Sequence, residues 1–159
     1  MTSAAGRFTG LGVVAGTALA MAACGPEVVF EGRHEVAGVW TYADSADFRY
    51  AIADTSQAYD LTLTLAHTDA FATQNLYARF VTTYPSGGRE VQDVSLELAD
   101  RFGNWLGTCR GEACELVIPL QEAARYPTAG AYGLTLLQHG RTERLPGVEA
   151  IGLRVSTAQ

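Results

Sequence analysis

The chain has 159 residues, 48% of them hydrophobic and 18% charged, which suits one globular domain with a short appendage and excludes a disordered polymer. Its formal net charge is -6 and every basic residue is an arginine. From Arg33 to Arg154 these stand singly among 17 acids, so neither nucleic-acid binding nor polybasic docking on anionic lipid is expected.

In chain order, the first predicted element is an export signal over residues 1–23. Arg7 supplies the positive start, Leu11 to Ala20 an apolar run too short for a stable span, and Met21-Ala22-Ala23 a small-residue cleavage context. A cysteine placed just after that site resembles a bacterial lipobox, with Met21 where leucine is usual. In that pattern the Cys24 sulfur is diacylated, the signal is cut before it, and the new N-terminus is often acylated too. At about 0.8 kcal/mol per buried methylene, two or three such chains hold a domain on a membrane. Cys24 is therefore expected to be a lipid anchor, and no cofactor other than this covalent lipid is expected.

Residues 24–37 read as a lipid-anchored tether and 38–159 as the domain, with a soft boundary because "EVVF" is compatible with the start of a strand. Beyond it a period of two dominates. "YDLTLTLAHT" sets Leu61, Leu63 and Leu65 on one face and Asp60, Thr62 and Thr64 on the other. "NLYARFVTTY" alternates Leu76, Ala78 and Phe80 against Tyr77, Arg79 and Val81, and "VSLELAD" does so with Val94, Leu96 and Leu98. Further strands are predicted at "DFRYAIA", "CELVIPL", "AYGLTLLQHG" and "AIGLRVS", with turns at "YPSGGRE", "RFGN", "CRGEAC" and "LPGVE". One short helical turn is predicted at "LQEAARYP", ended by the residue before Pro127. Seven or eight short strands at this spacing predict an all-β fold, an antiparallel β-sandwich of jelly-roll type.

Candidate chemistry is sparse. Cys109 and Cys114 form an even pair once Cys24 is set aside, and an oxidising periplasm predicts a disulfide between them. Closing so small a loop contributes roughly 2 kcal/mol, enough to staple a hairpin. His34, His67 and His139 lie in separate segments without ligand spacing, so no metal site is predicted. Ser86 in "YPSGGRE" reads as a turn residue rather than a nucleophile. His67 and Asp69 in "AHTDAF" read as a loop bonded to its own backbone rather than a general-base pair. Trp40, Tyr42, Tyr50 and Tyr59 have two readings: a sugar-stacking strip, or, favoured for Trp40 and for Trp105, core and rim.

Several phrases in order carry a family resemblance. They are the entry at Trp40 and Phe48, the run through Asp54, Tyr59 and Asn75, "D..G.WLG" from Asp100 to Gly107, and "LPGV...GLRV" from Leu145 to Val155. From about Gly38 to Val155 the chain resembles the GldH family of gliding-motility lipoproteins of Bacteroidetes-type bacteria. His67 stands where that family usually has asparagine, and the Cys109/Cys114 pair is a local addition. The matching residues read as scaffold. Gly103 and Gly107 are turn glycines around Trp105, Pro146-Gly147 starts the last strand, and Asn75 is expected to bond a neighbouring loop backbone.

The resemblance implies a non-enzymatic accessory lipoprotein of the gliding machinery, a machinery linked to type IX secretion. Its implied partners are the membrane, through the lipid, and other motility or secretion envelope proteins. Gly25-Pro26 after the cysteine lacks both an inner-membrane retention aspartate and the acidic, lysine-containing surface signal of such bacteria. That implies the periplasmic face of the outer membrane. The alternative from composition alone is a carbohydrate-binding envelope lipoprotein, which predicts an exposed aromatic row.

Overall fold

The computed structural model describes residues 25–159. The export signal 1–23 and Cys24 lie outside the described residues. Eleven strands follow: β1 (Val28–Glu35), β2 (Val39–Thr41), β3 (Ser45–Ile52), β4 (Ala58–Thr68), β5 (Asn75–Thr83), β6 (Arg89–Glu97), β7 (Thr108–Arg110), β8 (Ala113–Arg125), β9 (Gly130–Gln138), β10 (Arg144–Pro146) and β11 (Val148–Thr157).

Every strand pairing among the described residues is antiparallel. One sheet runs β1-β11-β4-β8-β7 and the other β3-β9-β5-β6, while β10-β2 forms a small ribbon. Consecutive long strands hop between the sheets, β3 opposite β4 and β8 opposite β9, with the β5–β6 hairpin the one pair that stays in a single sheet, which is the jelly-roll winding. The expected seven or eight strands correspond to the eight long ones, β7, β2 and β10 being three-residue additions. Residues 28–35, within the span expected as a tether, form β1 and pair with β11 from Val28↔Ser156 to Glu35↔Ala150.

Alternation explains which face goes inside. In β4 the odd positions Tyr59, Leu61, Leu63 and Leu65 are buried and the even ones between them half-buried; in β3 Ala46, Phe48, Tyr50 and Ile52 are buried in the same way. These rows meet Leu134, Leu136, Ile151, Leu153 and Val155 in one continuous core. β11 lies between β1 and β4, and its run Ala150–Leu153 is buried together with Val148 and Val155, while Glu149 and Arg154 stay exposed.

The helical turn expected at "LQEAARYP" is a strand instead. β8 continues to Arg125 by pairing with β4, and two register shifts interrupt that pairing, one on each side of the Leu61↔Gln121 pair, between Tyr59↔Ala124 and Thr62↔Pro119. Ala123 takes a left-handed φ of 49°, and its N–H turns back to Asp60 Oδ1 at 2.8 Å. The shifts disrupt the period of two, which is why this stretch imitates a helical pattern in the sequence.

Candidate functional site

The winding gives the sandwich two poles, separated by the ten-residue length of β11, roughly 30 Å. The chain enters at one of them. Glu27 N–H donates to Thr157 Oγ1 at 2.9 Å, and the ends of β3, β5 and β8 and the starts of β4 and β9 lie there. Asp54 organises the β3–β4 turn at this pole: its Oδ1 accepts from Ser56 N–H and Oγ, which holds its carboxyl below the usual value, and Tyr59 Oη donates to its carbonyl at 2.8 Å. The Asp54 and Tyr59 of the family phrase are thus one turn and its clamp.

The opposite pole gathers almost every other motif residue. Trp40 is fully buried and its Nε1–H donates to Asp44 O at 3.1 Å, while Asp44 Oδ2 accepts from Thr41 N–H and Oγ1. In "DRFGNWLG", Asp100 Oδ1 accepts from Phe102 and Asn104 N–H and Oδ2 from Asn104 Nδ2; the Asn104 bonds are the main reason its carboxyl is held below the ordinary value. Leu106 N–H then donates to Leu98 O at 2.8 Å, and Trp105 bridges Ala99. The phrase is a self-capped loop.

Two glycines fix this loop cluster to the body. Gly107 has φ +87° and its α-carbon faces the Glu115–Leu116 backbone so closely that a β-carbon would lie 2.9 Å from Leu116 Cα. Gly147 has φ +86° and faces Phe71 in the same way, while Thr68 N–H donates to its carbonyl. Pro146 pairs with Val39 at the ribbon's end, where its missing N–H is harmless. Asn75 bonds across the sheet to Ser95 Oγ at 2.9 Å through Nδ2, not to a loop backbone as expected. Cys109 and Cys114 are disulfide-bonded, face each other in the β7–β8 register and brace the same pole.

His67 is fully buried on β4 with Trp105 at 4.5 Å and Phe71 at 5.9 Å between ring centres. Its Nδ1 meets Thr68 O at 3.1 Å, so in the neutral ring Nδ1 carries the hydrogen and Nε2 is left without a partner. Asp69 is exposed and its N–H donates to Glu112 O, so the two do not form a catalytic pair. Ser86 sits in the β5–β6 turn, accepting from Gly88 N–H. His139 lies apart, 3.7 Å from Asp93 on the outer face of the four-stranded sheet, where Arg79 and Asp93 are bidentate.

The sugar-stacking strip is not on the surface. Trp40, Tyr50 and Tyr59 are all buried, leaving Tyr42 exposed, because each of the three falls on an inward position of its strand or ribbon. What the sequence reading missed is which apolar side chains stay outside at the far pole. Phe102 is 74% exposed, with Arg101 over its ring, and Leu106, Tyr42 and Tyr77 are exposed as well. Hydrogen bonds tie the connections at this pole together: Tyr42 Oη donates to Gly140 O and His139 N–H to Tyr77 O, while Leu98 N–H donates to Gln74 O. The signal was available in the capped loop, because residues inside an Asp-x-x-Gly turn point outward.

The far pole is therefore a rigid surface carrying apolar side chains, on the opposite end from the chain's entry, and its rigidity comes from the phrases that carry the resemblance. A curated relative, the gliding motility lipoprotein GldH of Flavobacterium johnsoniae, is 23% identical over 146 residues, which cover 91% of each chain. The family model of the GldH lipoprotein matches residues 28–155, from the first residue of β1 almost to the end of β11, and with that match the chain belongs to the GldH lipoprotein family.

Proposed function

We propose that this chain is a lipoprotein of the gliding-motility machinery, anchored through Cys24 on the periplasmic face of the outer membrane, and that it works without catalysis as a rigid support for other envelope proteins. The observation that carries the reading is the division of labour between the poles. Gly25, the residue after the anchor cysteine, lies at one pole, and the braced cluster with exposed Phe102, Leu106 and Tyr42 lies at the other. A lipid at Cys24 holds the first pole at the bilayer and presents the second to partners roughly 30 Å away. Exposed aromatic and aliphatic side chains on a stiff backbone are the anchors by which protein partners bind. Components of the type IX secretion apparatus are the partners this reading expects.

The test is a cross-linked pull-down of the tagged full chain from its native envelope, followed by mass spectrometry. Enrichment of gliding or type IX secretion components supports the support role; recovery of polysaccharide-handling proteins alone overturns it. Anchoring is tested separately. Cys24→Ser is expected to release the protein into the periplasmic extract and to abolish palmitate incorporation.

A further inference from the structure

The two sheets close against each other along the β1/β3 edge, where Phe30 meets Phe48 at 6.4 Å and Tyr50 at 6.2 Å between ring centres. Along the β6/β8 edge they do not close. A cleft of about 510 Å³ opens there, within the roughly 300–1,000 Å³ of small-molecule sites. Buried Leu61, Phe80 and Leu134 form its floor, and half-buried Ile118, Leu120 and Val94 its walls. On β6, Glu90 and Gln92 share the inward face with Val94 and Leu96 yet are exposed, which places the mouth at the start of that strand.

Both bordering strands are closed to an added peptide. β7 covers only Ala113–Glu115 of β8, and the bare edge beyond it carries Pro119, the two register shifts, and Ala123, whose N–H is turned inward to Asp60. β6 begins Arg89-Glu90-Val91-Gln92-Asp93, rich in charge. These are the features by which edge strands avoid pairing. The tyrosines at the inner end also have their hydroxyls occupied, Tyr50 with Tyr126 at 3.1 Å and Tyr132 on Thr128 O at 2.7 Å, so they offer ring surface rather than hydrogen bonds. The floor of the cleft suits an apolar chain, while the exposed polar side chains of Glu90, Gln92, Gln121 and Arg125, which also line it, suit a polar end.

Position selects the source. The cleft occupies the half of the sandwich nearer the pole where Gly25 begins, the pole that faces the bilayer on the reading that Cys24 carries lipid. We infer that the cleft between β6 and β8 holds one acyl chain of a membrane phospholipid, its tail against Leu61 and Leu134 and its polar end at the mouth.

The experiment uses the full chain carrying Cys24→Ser, which has no lipid of its own, and measures displacement of a fluorescent fatty-acid probe by saturated fatty acids of increasing length. Saturable one-to-one binding is expected, tightening on the order of tenfold per two added carbons until the cleft is filled. Leu120→Arg should weaken it at least tenfold. Val94→Trp, which fills the space with apolar volume, should abolish it while leaving the far-ultraviolet circular dichroism and melting temperature in place. Absence of saturable binding, or equal binding by all three proteins, overturns the inference. Native mass spectrometry of the lipidated wild type then tests the source: a bound phospholipid supports it, whereas a bound peptide, or a cleft that accepts lipid only when Cys24 is replaced, overturns it. Because binding is read on an unanchored protein, failure here is distinct from failure of the anchoring reading.

Discussion

Gly147 lies so close over Phe71 that a β-carbon added to it would come within 2.7 Å of the Phe71 α-carbon. The β10–β11 turn and the β4–β5 loop are held together by that approach and by the Thr68 N–H donating to Gly147 O at 2.8 Å. Gly147→Ala should therefore cost twice over. The left-handed φ costs roughly 1–2 kcal/mol and the displaced backbone about 1–3 kcal/mol more. Gly111→Ala is the control, since Gly111 also has positive φ but open space around it, and should show the first cost alone. Thermal melts of the two variants check the difference; equal shifts would mean that the turn moves away freely.

The disulfide should act locally. Cys109 and Cys114 lie five residues apart in one hairpin, and their removal as a double serine variant is expected to cost roughly 2 kcal/mol by the loop-entropy argument. The far pole should loosen first. Amide exchange is expected to quicken in β7 and around Gly107, which rests on the Glu115–Leu116 backbone, while β1, β3 and β11 keep their protection. Uniform acceleration across all strands would refute a local staple.

Alkaline pH should unfold the entry pole. Burial pushes the phenols of Tyr50 and Tyr126 above the ordinary value of 10, and in Tyr126 the bond with Tyr50 adds to that rise. A group whose folded pKa is raised contributes stability that is complete below its unfolded pKa and is lost as pH climbs towards the folded value. Melting temperature is therefore expected to hold to about pH 10 and fall above it. Tyr126→Phe, which removes the hydroxyl, should flatten that decline. Absorbance titration of the tyrosinates alongside the melts provides the check.

The long strands were legible because their chemistry repeats. Leu61, Leu63 and Leu65 announce an inward face at every second residue, and the core uses them as such. Two kinds of feature escaped. The bulged end of β8 escaped because its register shifts arise from pairing with β4, forty or more residues away in sequence, and shifts of that kind leave no local periodicity. Strands β2 and β10 escaped because three residues carry too little pattern, although Trp40 and Leu145, which pair in that ribbon, were both visible in the motif phrases. The motif residues were recognised singly, but their assembly at one pole is a property of the winding. Only the jelly-roll order brings the β1–β2, β4–β5, β6–β7 and β9–β10 connections to the same end. The inter-sheet cleft was illegible for the same reason, since its floor and walls come from β4, β5, β6, β8 and β9.

The far pole makes a prediction that separates folding from function. Phe102 makes little contact with the body, and its loop is held by Asp100 and Asn104 rather than by its own ring. Phe102→Asp should leave stability within about half a kcal/mol, as surface substitutions do. Asp100→Ala should instead release the Phe102 and Asn104 N–H groups and disorder the presented surface without exposing the core. If the pole is the partner surface, both variants should fail to capture motility components in the cross-linked pull-down and fail to restore colony spreading in a strain lacking the protein. Because Phe102→Asp remains fully folded, its loss of capture reports on contact alone. Full capture by that variant would move the partner surface to the outer face of the four-stranded sheet, where the Arg79–Asp93 pair lies.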